Sequence, residues 1–229
     1  MNRSSVALLA LVLLLCACTP QQALIAALVP QGAASTLLGH LQGVGEDNRK
    51  RIAELDTAGK WDELARFADK NLERDRSNAD WWIVKGYALT QAGDHRAAVQ
   101  AYGEAVRLEP DSAMAWNQLA QSHRASGDSQ RAIVVLERAA LAVRDSPTTA
   151  FLLGESYSDI RRFDDAAAAY RQALGLDPNL APAWYGLSRA YTRMGREREA
   201  LEARERLRTL DPKLALRLEA ETAAGTELR

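Results

Sequence analysis

The sequence predicts an all-α protein in which helical hairpins stack into a solenoid, and three observations predict it. Residues recur in register at a spacing of thirty-four: Ala98, Ala132, Ala166 and Ala200 form one row, and Pro110, Pro178 and Pro212 stand at multiples of the same spacing. Within each period, apolar or small residues return at alternating steps of four and three, the signature of one face of a helix. Aromatic residues make up only 6% of the chain while alanine is abundant, which suits helices packed through small side chains better than a β-sandwich.

The charge balance narrows the function before any motif is considered. Lys and Arg number 29 against 30 for Asp and Glu, leaving a net charge of −1 and no broad attraction to a polyanion. Nucleic-acid binding is therefore not expected.

The first segment reads as an export signal. Met1, Asn2 and Arg3 supply a short positive start, and Val6 to Leu15 is an uncharged apolar run of ten residues. A membrane-spanning helix needs about 20 apolar residues, and Thr19, Pro20, Gln21 and Gln22 stop this run earlier. The run ends in Leu15, Cys16, Ala17 and Cys18, which resembles the bacterial lipobox. That resemblance implies a signal peptide over 1–17, and diacylglycerol and N-acyl chains on Cys18 as the new N-terminus. Cys16 fits less well, because Leu15 would then occupy the place where the motif wants a small residue. No cysteine lies elsewhere in the chain, and two separated by one residue are too constrained to pair easily. Two acyl chains on one cysteine give stable attachment, each buried methylene contributing about 0.8 kcal/mol. Thr19 stands where an inner-membrane retention signal would place Asp, so the expectation is an outer-membrane lipoprotein facing the periplasm of a Gram-negative cell.

Residues 18–44 form an apolar tether interrupted by Pro30, Gly32, Gly39 and Gly43. The pieces Ala23 to Val29 and Ser35 to Leu41 carry no Asp, Glu, Lys or Arg. They suit either a membrane-facing collar or a short helix folded onto the body.

The hairpins follow. In residues 79–92, Trp82, Gly86 and Leu89 mark one helical face, and Gly93 with Asp94 interrupts it. Ala98, Tyr102, Ala105 and Leu108 mark the face of a second helix, which ends at Glu109 and Pro110 because proline cannot continue the hydrogen-bonded ladder. Trp82, Trp116 and Trp184 recur in register with Ala150 in the missing place, and Gly93, Gly127 and Gly195 recur with Arg161 substituting. Small residues at Gly86, Ala120, Gly154 and Ser188 let paired helices approach, and aromatic residues of the same row fill the gap. These rows define four units, 79–112, 113–146, 147–180 and 181–214; the second ends on Arg144 in place of proline, with Pro147 soon after. Residues 45–78 read as a degenerate capping hairpin with Ala58 and Gly59 at its turn, Leu55, Leu64 and Ala68 at core places, and polar Asn48 where the next unit has Trp82. Residues 215–229 read as a short capping helix, spanning Leu214 to Ala220, and a fraying tail. One hairpin cannot bury its apolar face alone, so neighbours must stack.

Written out, Trp82, Leu89, Gly93, Ala98, Tyr102, Ala105 and Pro110 resemble the tetratricopeptide-repeat signature, and the rows ending at Pro178 and Pro212 match it too. The resemblance implies a right-handed superhelical α-solenoid whose concave wall is lined by the first helix of each repeat. The larger residues at the lining positions are Tyr87, then Asn117, Gln121 and Arg124, then Phe151 and Glu155, then Tyr185 and Arg189, with Arg193 one place beyond. Rings alternating with Arg and amide groups suit an extended or helical peptide, since rings supply apolar area and Arg pairs bidentately with carboxylates; the bland alternative is a solvated inner face. The two-lysine, two-asparagine carboxylate clamp of chaperone-binding members is not reproduced.

Chemistry is not expected. His40, His95 and His123 are far apart, and none stands four residues from another histidine or a cysteine, so no metal spacing arises. His123 occupies the place of Tyr157 and Tyr191 and reads as a core substitute, and His95 as an exposed or capping residue. Asp164 with Asp165, and Glu197 with Glu199, begin second helices, where negative charge complements the helix dipole. No cofactor or small-molecule substrate is expected. The favoured function is a membrane-anchored scaffold for a protein or peptide partner, assisting assembly of an envelope machine such as a pilus or secretion system. In layout alone the chain resembles the pilotins of type IV pili and the corresponding tight-adherence pilus lipoproteins. A regulator of peptidoglycan synthases or hydrolases is the alternative, and an enzyme or small-ligand receptor the alternative of another class.

Overall fold

The computed structural model describes residues 33–227, so Cys16, Cys18, the signal peptide and the Ala23 to Val29 piece lie outside the described residues. Contacts divide the chain into a unit ending at Leu41 and a repeat-bearing unit from Gln42 onward. The described part of the first is helix α1 (Ala33–His40).

In the second unit, α2 (Glu46–Thr57) and α3 (Trp61–Leu72) make a first hairpin. Four longer hairpins follow: α4 (Ala79–Gln91) with α5 (His95–Leu108), α6 (Ala113–Ala125) with α7 (Ser129–Ala142), α8 (Pro147–Asp159) with α9 (Phe163–Leu176), and α10 (Ala181–Arg193) with α11 (Glu197–Leu210). Helix α12 (Pro212–Glu227) closes the array; it begins at the proline itself and runs well past the short Leu214 to Ala220 segment expected from the pattern. Proline at a first helical turn loses no hydrogen bond that the helix would make, which is why Pro212 starts α12 and does not merely end α11. No strand occurs among the described residues, and the array is a helical-hairpin solenoid.

Five successive helix starts are fixed by a side-chain cap. Asn78, Asp94, Ser112, Asp128 and Ser146 cap α4 to α8, their side-chain oxygens accepting from the N–H of Asp80, Ala97, Ala115, Arg131 and Thr149. The turn inside each long hairpin needs one left-handed residue. Gly93, Gly127 and Gly195 supply it with φ of 84°, 84° and 73°, and Arg161 is held there at 62°. Where Arg144 replaces proline, the chain instead turns through Asp145 in the left-handed region before Ser146 caps α8.

The tryptophan row is repeated as a hydrogen bond. The indole N–H of Trp82, Trp116 and Trp184 donates to the carbonyl six residues earlier, on Arg76, Pro110 and Pro178, at 3.0, 2.8 and 2.8 Å. All three rings are only half-buried, because that bond keeps one edge at the loop joining two repeats.

The deepest packing pairs a ring with a missing side chain. A Cβ on Gly86 would lie 2.7 Å from the Tyr102 ring, and one on Gly154 2.7 Å from Tyr170; Gly186 of the following repeat also lies against the Tyr170 ring. Tyr102 and Tyr170 are both fully buried. In the same rows Leu136 stands with Ala120 and Arg204 with Ser188, so the ring and the glycine change together along the array.

Candidate functional site: the wall of first helices

Helices α4, α6, α8 and α10, flanked by α2 and α12, carry every residue expected to meet a partner. Six of the nine expected lining residues are turned to internal use. Tyr87 donates its hydroxyl to Asp56 on α2 and sets its ring edge-on to Trp61 at 6.1 Å. Asn117 accepts from the Thr149 hydroxyl on α8 at 2.9 Å. Phe151 is 3% exposed and lies against the Tyr170 ring. Tyr185 donates to Glu221 on α12 at 2.5 Å.

Arg124 and Glu155 form the most elaborate of these links. The Arg124 Nε donates to Asp159 at 2.8 Å, and its Nη2 donates to Glu155 and to Asp159 at 3.3 Å. The Arg124 and Glu155 side chains are 5% and 4% exposed. Glu155 also accepts the Tyr170 hydroxyl at 2.6 Å, and Ser129 donates to Asp159 at 2.9 Å. Burial alone would pull the Arg124 guanidinium down, but its hydrogen bond to Asp159 and the charges of Glu155 and Asp159 raise it, so it stays cationic. Burial, and then the charge of Glu155, push the Tyr170 hydroxyl well above the usual tyrosine range and keep it a donor.

The expectation that Tyr87, Asn117, Arg124, Phe151, Glu155 and Tyr185 present a free lining is therefore corrected. Tyr87, Asn117, Arg124, Glu155 and Tyr185 bond across to the neighbouring first helix or to α12, Phe151 packs on Tyr170 within its own hairpin, and all six build the wall instead of projecting from it. Gln121 and Arg189 are half-buried, the latter with its guanidinium 5.6 Å from the Tyr185 ring centre, and Arg193 is exposed. Asp56, Asp159 and Glu221 carry no sequence signal, and Tyr170 is legible only as a residue of the repeat signature. Their partners lie between 15 and 36 residues away, a range with no single period.

His123 is half-buried in the row of Tyr157 and Tyr191, and burial holds its imidazole below the ordinary histidine value. His95 opens α5, but the cap is Asp94, and His95 Nδ1 is sheltered from solvent without a partner. Among the described residues no group of three or more His, Cys, Asp or Glu side chains is placed to hold a metal, and no helix is long and apolar enough to cross a membrane.

An open cleft of about 960 Å³ lies between α3 and α5, with Trp82 and Leu89 of α4 among its lining residues. Leu89 stands where later repeats have His123, Tyr157 and Tyr191, and Gly103 where they have Glu137, Arg171 and Glu205, so smaller side chains leave this space. Its charged lining is largely self-matched: Lys85 pairs with Asp69 at 2.7 Å and Arg107 with Glu104 at 2.9 Å.

Repeated hairpins, a tryptophan tie at the start of three of the four long hairpins and first helices bonded along one wall define a helical-repeat solenoid. Tetratricopeptide-repeat profiles match residues 83–148 and 161–221, together more than half of the chain. The chain belongs to the tetratricopeptide-repeat family. Mouse tetratricopeptide repeat protein 36 is 35% identical over 86 residues, covering 38% of this chain and 44% of that protein. A barley protein named as a probable UDP-N-acetylglucosamine peptide N-acetylglucosaminyltransferase, SPINDLY, is 26% identical over 157 residues, 66% of this chain and 17% of its own length. The chain thus spans less than half the length of these relatives. Among solved structures, MamA superposes with a TM-score of 0.63 at 22% identity, over 81% of this chain and 96% of that one. YrrB, described as a TPR protein with an unusual peptide-binding site, superposes with a TM-score of 0.61 at 19% identity, over 82% and 98%. These likenesses carry the fold alone.

Proposed function

We propose that the protein is a non-enzymatic scaffold, anchored by lipid on Cys18 to the periplasmic face of the outer membrane, which holds a protein or peptide partner during assembly of an envelope machine such as a pilus or secretion apparatus. The observation that carries the scaffold reading is the wall itself. Its first helices are tied to one another by hydrogen bonds and by the Arg124 ion pairs, so a partner meets a preformed surface and ordering it costs little at the moment of binding. The peptide-binding site ascribed to YrrB supports a peptide partner for the same fold. Membrane attachment is supported by the lipobox-like Leu15 to Cys18 segment, and export by the apolar run before it.

Polar groups left over after the wall is built are the means of contact. Gln121 can satisfy a peptide group, and Arg189 and Arg193, one helical turn apart on α10, can meet carboxylates. Two measurements test the proposal. Cys18→Ser should release the protein from the membrane fraction, and continued sedimentation with membranes would overturn the anchor. Capture from detergent-solubilised envelopes, read by mass spectrometry, should recover secretin or pilin subunits; recovery of peptidoglycan synthases or hydrolases instead would transfer the scaffold to cell-wall regulation.

A further inference from the structure

A second concavity, of about 520 Å³, opens at the turns joining α8 to α9 and α10 to α11. Four guanidinium groups line it, and they divide into two kinds. Arg162 pairs with Asp165 at 2.7 Å and Arg196 with Glu199 at 2.6 Å, and each lies 4.7 Å over a tyrosine ring, Tyr157 and Tyr191 respectively. Those two are held in place. Arg161 and Arg193 are exposed, and neither side chain forms a hydrogen bond or ion pair among the described residues.

Arg161 is also the residue that occupies a glycine's place. The equivalent turns use Gly93, Gly127 and Gly195, each in the left-handed region, and Arg161 is held there at a φ of 62° despite its side chain. Strain kept at an exposed turn, where glycine would relieve it, points to a use for the side chain. Arg193 stands where the earlier repeats have Gln91, Ala125 and Asp159, none of them a cation, and here it shares one opening with Arg161.

We propose that this pocket binds an acidic segment of the partner protein, with carboxylates on Arg161 and Arg193 and an apolar side chain between them on Phe163 and Met194. The proposal rests on the reading of the chain as a protein-binding scaffold and specifies where and by what chemistry the partner is held. Phe163 and Met194 are half-buried lining residues that give an aliphatic or aromatic neighbour of the carboxylates somewhere to pack. A long polyanion fits less well. Asp164 and Asp165 also line the opening, and the chain's net charge of −1 offers no extended basic track beyond it.

The test is fluorescence anisotropy with the full chain and a fluorescein-labelled peptide of alternating Glu and Leu. Its controls are the same peptide with Gln in place of Glu and a single-stranded oligothymidine. The Glu peptide should bind at least about tenfold more tightly than the Gln peptide, and Arg161→Gly and Arg193→Gln should each weaken it about tenfold. Arg161→Gly supplies its own folding control, because glycine is the residue the turn favours and the variant should melt no lower than the wild type. Unchanged affinity in the doubly substituted chain, equal binding of the Gln peptide, no binding of the Glu peptide at about millimolar concentration, or tighter binding of the oligothymidine would each overturn the proposal. Capture of the natural partner separates this from the scaffold reading. If the double variant recovers the partner as well as the wild type does, the pocket assignment falls and the scaffold stands; if the wild type binds the peptide but recovers no partner, the reverse holds.

Discussion

Adding one methyl group at two glycines should move stability in opposite directions. At Gly186 the new Cβ would fall against Tyr170, within 2.6 Å of Cε1 and 2.9 Å of Cε2. The ring has little room to retreat, because it is fully buried, also lies against Gly154, and its hydroxyl is bonded to Glu155 at 2.6 Å. Overpacking of this kind costs about 1–3 kcal/mol, and about 1 kcal/mol more if the hydroxyl is pulled off its acceptor. Alanine's better helix propensity returns only about 1 kcal/mol, so Gly186→Ala should lose about 1–3 kcal/mol. At Gly103, inside α5, nothing lies within 4 Å of the new atom, so Gly103→Ala should gain about 1 kcal/mol from propensity alone. Thermal melting followed by circular dichroism reads both, at about 2–4 °C per kcal/mol for a chain of this size. Adding Tyr170→Leu should recover part of the loss in the Gly186→Ala chain, since Leu136 fills the same place in the preceding repeat. A Gly186→Ala protein as stable as the wild type would refute the claim that glycine and ring are one packing unit.

Three further outcomes follow from the same structure. Arg124→Met should cost about 3–5 kcal/mol in urea denaturation by leaving Glu155 buried without its guanidinium, and Glu155→Gln with Asp159→Asn in the same chain should restore most of it. Burial holds the His123 imidazole low, Asp128 opposing and Arg131 assisting, so the folded chain takes up this proton less readily than the unfolded one. Its contribution is full above the ordinary histidine range and is lost as pH falls through it; melting curves from about pH 7.5 to 5 should show that slope in the wild type and less of it in His123→Tyr. Arg161→Gly should stabilise by about 0.5–1 kcal/mol in thermal melting, the relief of left-handed strain exceeding the entropy that glycine adds to the unfolded chain.

The fold was legible because a solenoid repeats its physics. Every thirty-four residues the chain meets the same need for a left-handed turn and a small residue facing a large one, and it meets the turn with glycine in three hairpins of four and the approach with Gly, Ala or Ser in all four. Gly93, Gly127 and Gly195 could therefore be read as turns from spacing alone. The tie between each tryptophan and the carbonyl six residues before it was not legible, since it depends on loop geometry that no periodicity encodes. Gly186 was missed for a related reason: its ring belongs to the repeat before it, and the other repeats place Val84, Gln118 and Leu152 in that position.

The site was legible in direction but not in use. Register indicates which side of a first helix a residue occupies, which is how Tyr87, Arg124, Glu155 and Tyr185 were found. It does not indicate how near the neighbouring first helix comes. That distance is set by particular pairs, Tyr87 with Asp56, Arg124 with Glu155 and Asp159, and Tyr185 with Glu221; Asp56–Tyr87 and Arg124–Glu155 share one register and one offset two repeats apart, but the residue types change, and the other pairs lie at other offsets. A polar side chain taken out of water in such a joint must find a partner within the chain, and once it has one it is no longer available to a ligand. Recognition then falls to groups the joints do not consume. Arg193 of α10 and Arg161 of the turn between α8 and α9 meet that condition, so under the proposed assignment the charge that meets a partner lies at the turns, and the charge that holds the wall together lies in its interior.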